Sequence, residues 1–205
     1  MPPATATRPL GSEVLRLRHD EVREILAAFD QIHARLFVAP SATQLLEDLS
    51  GGAVTAQVLA GPPLPLTPEQ IHRLDNRPGD QIGYRHVRLC HGPYILSEAL
   101  NWYRFDALTN DLNKMLDETA TPFGRAVRAL SPRRRTLETR SLWPSLAAMP
   151  AGACLDLPTE VLEVRAFLST KEGRPFAEVR ERYRVDLVFA MQAARSAAVQ
   201  RPYPG

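Results

Sequence analysis

Two pairs of strand-like segments, each pair joined by a connection short enough to force a reversal, constrain this chain more than any other feature. "YRHVRLC" (84–90) and "YILSEALNWY" (94–103) are separated only by "HGP". "VLEVRAFLS" (161–169) and "PFAEVRERY" (175–183) are separated by "TKEGR". Period-two alternation with such loops predicts β-hairpins, and two hairpins favour an antiparallel sheet. A further strand is expected at "AVTAQVLAG" (53–61), before a proline-rich surface connector, "PPLPLTPEQ".

Helices are expected before, between and after these strands. "DEVREILAAFDQIHARLF" spaces Val22, Ile25, Leu26, Phe29, Ile32 and Leu36 at helical intervals, with Asp20 as the expected N-cap. Ser41 and Gln44 have capping-box spacing and start a short helix that Gly51 and Gly52 end. "DALTNDLNKMLD" is read as a helix capped by Asp106, "TPFGRAVRAL" as one opened by proline, and "LVFAMQAARSAAVQ" as an alanine-rich closing helix. The class is therefore α+β, an antiparallel sheet flanked by helices. Residues 1–12 read as a flexible lead-in to one domain spanning 13–205.

Composition excludes more than it assigns. A chain of 205 residues, 44% hydrophobic and of net charge +2, is ordinary globular material, and that charge is too small to imply nucleic acid as a partner. The cation content is arginine apart from Lys114 and Lys171, a bias attributed to genome composition. Cys90 and Cys154 lie far apart, with no C-x-x-C, so free buried thiols in a reducing compartment are expected. The five histidines show no ligand spacing, so no metal is expected. No apolar run reaches the length of about 18 residues that a membrane span needs, which points to a cytoplasmic protein without a membrane partner. No Gly-rich strand-to-helix loop suggests a nucleotide cofactor.

The chemistry lies in residues that break the alternation. Glu181 shares a strand face with Ala177, Val179 and Tyr183; Arg85 shares one with Val87 and Leu89. A lone buried charge costs several kcal/mol, so two outliers of opposite sign suggest a common interior. They could form a buried ion pair, one strand could be flipped or bulged, or they could face a closed pocket. In the last case Arg85 would hold a substrate carboxylate and Glu181 would exchange a proton. Glu98, among Tyr94, Leu96, Leu100 and Trp102, is a rival acid/base candidate. Arg165 reads as a solvated residue beside Glu163, or as a second anchor if its face is the inner one. "SPRRR" (131–135) reads as a solvated cluster or part of a flap, with Trp143 as the flap's packing anchor, and His86 as structural.

Four segments, in order, resemble the chorismate pyruvate-lyase (4-hydroxybenzoate synthase) family. "SATQLLEDL", with Ser41 and Thr43, resembles its S-x-T segment; "YRHVRLC" resembles the strand bearing its carboxylate-binding arginine, at Arg85. "TPFGRAVRAL" resembles its T-P-L-G segment, with Phe123 for leucine, and "GRPFAEVRERY" resembles the late strand with its catalytic glutamate, at Glu181. The resemblance implies a chorismate lyase-like fold and a cytoplasmic, cofactor-independent lyase that eliminates pyruvate from chorismate to give a hydroxybenzoate for ubiquinone synthesis. It implies catalysis by Glu181 and Arg85, with Ala42, Thr43, Phe123 and Gly124 at the substrate, a small acid of the aromatic pathway. Ala42 stands where the family can present methionine, and residues 131–160 do not resemble its compact members. A sensing module of the same fold, found as the effector domain of some transcription regulators, is the alternative; the residues before Arg85 read as helix, turn and strand rather than as a winged helix. A natural-product enzyme on another substrate is a third. Monomer and dimer stay open.

Overall fold

The computed structural model describes residues 14–150 and 152–199. The expected lead-in 1–12 falls outside them. Both hairpins form: β3 (Ile82–His91) pairs with β4 (Tyr94–Arg104), and β7 (Glu160–Ser169) with β8 (Pro175–Arg184), antiparallel throughout. β4 also pairs with β8, which joins the hairpins. β2 (Thr55–Val58) and β5 (Arg133–Ser141) close the two edges, giving the order β2-β3-β4-β8-β7-β5. A separate ribbon pairs β1 (Val14–Arg18) with β6 (Cys154–Pro158).

Helices cover one face, hereafter the inner one. α1 (His19–Val38) buries Val22, Ile25, Phe29, Ile32 and Leu36, one stripe of its surface. α2 (Ala42–Ser50) and α6 (Asp186–Val199) pack on each other, and α6 packs on β4. Their apolar side chains share a core with Val87, Leu89, Ala99, Val164 and Tyr183 of the sheet. This is an α+β fold with a helix-flanked antiparallel sheet of the chorismate lyase-like kind.

Capping follows the sequence in part. Ser41 accepts from the Gln44 amide and Gly51 ends α2 in the left-handed region (φ 77°). Gln44, however, turns its side chain to Asp48 instead of completing the box. α1 starts two residues earlier than expected, with Arg18 as its N-cap; the Arg18 backbone amide donates to Glu21, and Asp20 lies inside the helix. Asp106 sits in a single 3-10 turn, and Thr109 caps α4 (Asn110–Glu118). "TPFGRAVRAL" forms only one α-turn, α5 (Phe123–Ala126), before tightening to 3-10 geometry over Val127–Leu130. Cys90 is half-buried and Cys154 exposed, not two buried thiols.

The other face is also covered in part. The proline-rich connector leads into α3 (Pro68–Arg73), capped by Thr67. Trp102 donates its indole N–H to the Leu64 carbonyl, and Gln70 and Arg73 both donate to the Glu178 carboxylate. Beside α3 the registers set a row of alternating charge across five strands: Arg140, Glu163, Arg182, Glu98, Arg88. Glu163 accepts from Arg140 and Arg182, and Glu98 from Arg88 at 3.3 Å. His86 Nε2 lies 2.6 Å from the other Glu98 oxygen. Burial alone would raise the Glu98 carboxyl, but hydrogen bonds and charge from His86 and Arg88 outweigh it, and its pKa is lowered. Glu163 is lowered in the same way by Arg182 and Arg140.

A folded-state pKa below the ordinary glutamate value of 4.5 means stability present above that pH and lost as pH falls through the folded value. Glu98→Gln is therefore expected to cost roughly 1.5–3 kcal/mol at neutral pH, the worth of hydrogen bonds to a charged group. The variant's unfolding free energy should also fall less than the wild type's between about pH 5 and pH 3. Urea titrations at both ends of this range measure it; equal acid slopes would refute the assignment.

Candidate functional site

Arg85, Asn101 and Val179 lie in one register line, and Val87, Ala99, Glu181 and Val164 in another. Residues aligned across strands share a face, so Arg85 and Glu181 both point inward, from strands separated by β4. Both are buried, at 5% and 6% exposure. They do not pair with each other.

Glu181 pairs instead with Arg134 of β5, whose Nη2 lies 3.4 Å from Oε2. The Tyr183 hydroxyl donates to the same oxygen at 2.9 Å. Oε1 has no protein partner among the described residues. Arg134 is fixed further by the Leu36 carbonyl and Thr136 Oγ1. Full burial, and then the Glu181 charge, hold the Tyr183 phenol well above its ordinary pKa. Arg134 belongs to "SPRRR", so the solvated cluster expected there is wrong for its middle residue: Arg133 and Arg135 are exposed, while the Arg134 side chain is 4% exposed.

The Arg85 guanidinium is committed to main chain. Nη1 donates to the Thr121 carbonyl at 2.6 Å and Nη2 to that of Thr119 at 2.8 Å, while Nε is buried without a partner among the described residues. Burial lowers its pKa, against smaller contributions from Tyr103 and Asp117. It thereby ties β3 to the segment that leads into α5.

Glu181, Arg134 and Asn101 line a cavity of about 420 Å³ between the sheet and α2 and α5. The apolar wall includes Ala42, Phe123, Val127, Leu168 and Val179. Thr43 and Gly124 also line it, and they set its width: a Cβ on Gly124 would come within 2.7 Å of Thr43 Oγ1, so only glycine lets α5 approach α2 this closely. Arg125 and Arg128 stand at its rim, bonded to Glu47 and to Gln44. Arginine thus outnumbers carboxylate around an enclosure of the size that takes a small ligand. Of the residues singled out in the sequence, Ala42, Thr43, Phe123, Gly124 and Glu181 come together here. Arg85 shares their face, but its side chain does not line the cavity.

Glu98 and Arg165 are on the outer face and belong to no site with Glu181. Glu98 neighbours Ala99 in β4 and so points the opposite way. Arg165 donates to Glu138 and Glu178. Trp143 is buried and donates to the Pro158 carbonyl, which anchors the segment after β5. Among the described residues no group of three or more His, Cys, Asp or Glu could hold a metal, and no helix is long and apolar enough to cross a membrane.

No family model matches the sequence. The chain is 36% identical to y4mC, an uncharacterised protein of Sinorhizobium fredii, over 78% of its own length and 75% of the relative's. It belongs to the y4mC family. Among solved structures, the effector domain of PhnF from Mycobacterium smegmatis superposes with a TM-score of 0.51 at 13% identity, over 72% of this chain and 90% of that domain, which shows a shared fold. YydK of Bacillus subtilis, a possible transcriptional regulator, matches at a TM-score of 0.43 and 18% identity over 65% of this chain; the chain spans 59% of its length. In these alignments the y4mC relative and the effector domain are each covered over most of their length.

Removing the cation from the Arg134–Glu181 pair leaves a buried carboxylate facing only a neutral hydroxyl. Arg134→Met is expected to cost about 3–5 kcal/mol. Adding Glu181→Gln to it should restore part of the loss, because the two sites are coupled. Urea unfolding of the two single variants and the double variant gives the coupling, and additive losses would show that the pair contributes nothing.

Proposed function

We propose that this protein is a sensing module that binds a small organic acid in the inner cavity without turning it over. The observation that carries the reading is the division of labour between the two inward arginines. Arg134 lines the cavity beside Glu181; Leu36, Thr136 and Glu181 hold part of its guanidinium, and its remaining N–H groups can donate to a ligand carboxylate. Arg85, which a lyase of the resembled family would use for that purpose, is spent on two carbonyls. Glu181 Oε1 offers an acceptor to a ligand hydroxyl or amine. Phe123, Val127, Leu168 and Val179 suit an apolar or aromatic body. The favoured ligand is thus a hydroxy- or amino-substituted small acid, held within one domain over 13–205 of a cytoplasmic protein. The fold shared with the PhnF effector domain supports sensing by analogy of architecture.

A second reading keeps the resembled chemistry. Arg85 and Glu181 are buried on one face of the sheet, as that chemistry requires, and a dry carboxyl group can move a proton between a ring carbon and a leaving pyruvate. In that reading Glu181 and Arg85 are catalytic, and Ala42, Thr43, Phe123 and Gly124 shape the ring pocket.

One experiment separates the two. Purified protein is mixed with chorismate while pyruvate is followed, and its thermal stability is measured with chorismate and with the hydroxybenzoate isomers. Sensing predicts stabilisation by at least one acid, as mass action requires, weakened about tenfold or more in Glu181→Gln, and no pyruvate. Pyruvate release abolished in Glu181→Gln would establish the lyase instead.

A further inference from the structure

The outer face carries a second cavity, of about 520 Å³, between the Leu64–Gln70 arm and the sheet. Trp102, Glu163, Arg165, Glu178 and Arg180 line it from β4, β7 and β8, Glu138 and Arg140 from β5, and Glu69 from α3. The buried glutamates Glu98, Glu163 and Glu178 of this face are each matched. Glu178 accepts from Gln70, Arg73 and Arg165; Glu163 accepts from Arg140 and Arg182; Glu98 accepts from Arg88 and meets His86. Arg135 lies over the Phe167 ring. Among the arginines that line this cavity, Arg180 alone has neither hydrogen bond nor ion pair to any described residue, although it is half-buried.

Register explains the exception. The row through Arg180 runs Glu138, Arg165, Arg180, Leu100, His86. Alternation of sign, kept in the neighbouring row from Arg140 to Arg88, fails here, and two arginines face each other directly on adjacent strands. Such like-charged pairs are destabilising. Along β8 its same-face neighbours are Glu178, already holding three donors, and Arg182, another cation. Burial above all lowers the Arg180 pKa, and Arg182 and Arg165 push the same way against Glu163.

We infer that the outer cavity is a second binding site, which takes the carboxylate or phosphate group of a small molecule on Arg180 with the body of that molecule against Trp102. Glu138, the carboxylate of that row, is held by Arg165, so an anion there supplies the negative charge that Arg180 lacks, and Arg180 offers a planar fork that matches either group. The site is on the opposite face of the sheet from the Glu181 cavity and stands whether or not that cavity binds a ligand.

The test reads Arg180 locally. The full chain, labelled in its arginine side chains, is titrated by NMR with inorganic phosphate and with benzoate at constant ionic strength. The Arg180 Nε–Hε resonance is assigned by its loss in Arg180→Lys. It is expected to move saturably with at least one anion, with an unchanged midpoint in Glu181→Gln, which alters only the inner cavity. Thermal stabilisation by the same anion is expected to weaken about tenfold in Arg180→Gln. Response to phosphate alone names a phosphorylated ligand, and response to benzoate alone an aromatic carboxylate. A resonance that moves with neither anion overturns the inference, as does one that moves only while Glu181 is intact. The wild-type titration decides even if Arg180→Gln does not fold.

Discussion

A charge removed from water must find a partner, and here that constraint acts on both faces of one sheet. Glu181 points into an apolar interior and is tolerable there because β5, the far edge strand, delivers Arg134 to it. On the opposite face Glu98, Glu163 and Glu178 are all buried, and each is neutralised by arginines from neighbouring strands or from α3. The sheet is therefore held by apolar packing beneath its helices and by an arginine–carboxylate lattice on its back.

Double coverage explains what the sequence could and could not tell. Alternation located Arg85 and Glu181 on inward faces, because Val87, Leu89, Val179 and Tyr183 mark those faces as apolar. It pointed equally to Glu98, because Leu100 and Trp102 are buried too, under the connector and α3. A sheet covered on both sides has two apolar faces, and period two alone does not distinguish them. Register does, and register is a tertiary fact: once β4 is aligned with β8, Ala99 stands beside Glu181 and Glu98 turns away.

Arg134 escaped for a related reason. "RRRTLETRS" carries almost no apolar residue, so β5 does not read as a strand, and a bulge between Thr136 and Glu138 breaks what alternation it has. Its inward side chain is an arginine whose reason for being there lies 47 residues further along, at Glu181. The only local signal was a run of three cations, of which two are solvated. β1 and β6 are short too, five residues each, and each pairs with the other alone, far away in sequence. The helices were more legible, since an apolar stripe is a local property. The caps that failed, Asp20 and Asp106, lost to Arg18, two residues earlier, and to the Thr109 side chain, three residues later.

Arg85 shows how one residue can keep its place while its work changes. Its position on the inner face is the one the resemblance implied, but its donors reach the carbonyls of Thr119 and Thr121, 34 and 36 residues away in sequence. Those residues precede Pro122 and α5, and α5 carries Phe123 and Gly124 into the cavity wall. A guanidinium bonded to two main-chain oxygens fixes that wall against β3. The cavity's shape thus depends on Arg85, whose side chain does not line it, whereas the charge at its floor is that of Arg134 and Glu181. Shape and charge are set by different strands, so a substitution at the Arg134–Glu181 pair would change the cavity's charge while the frame that Arg85 holds stays as it is.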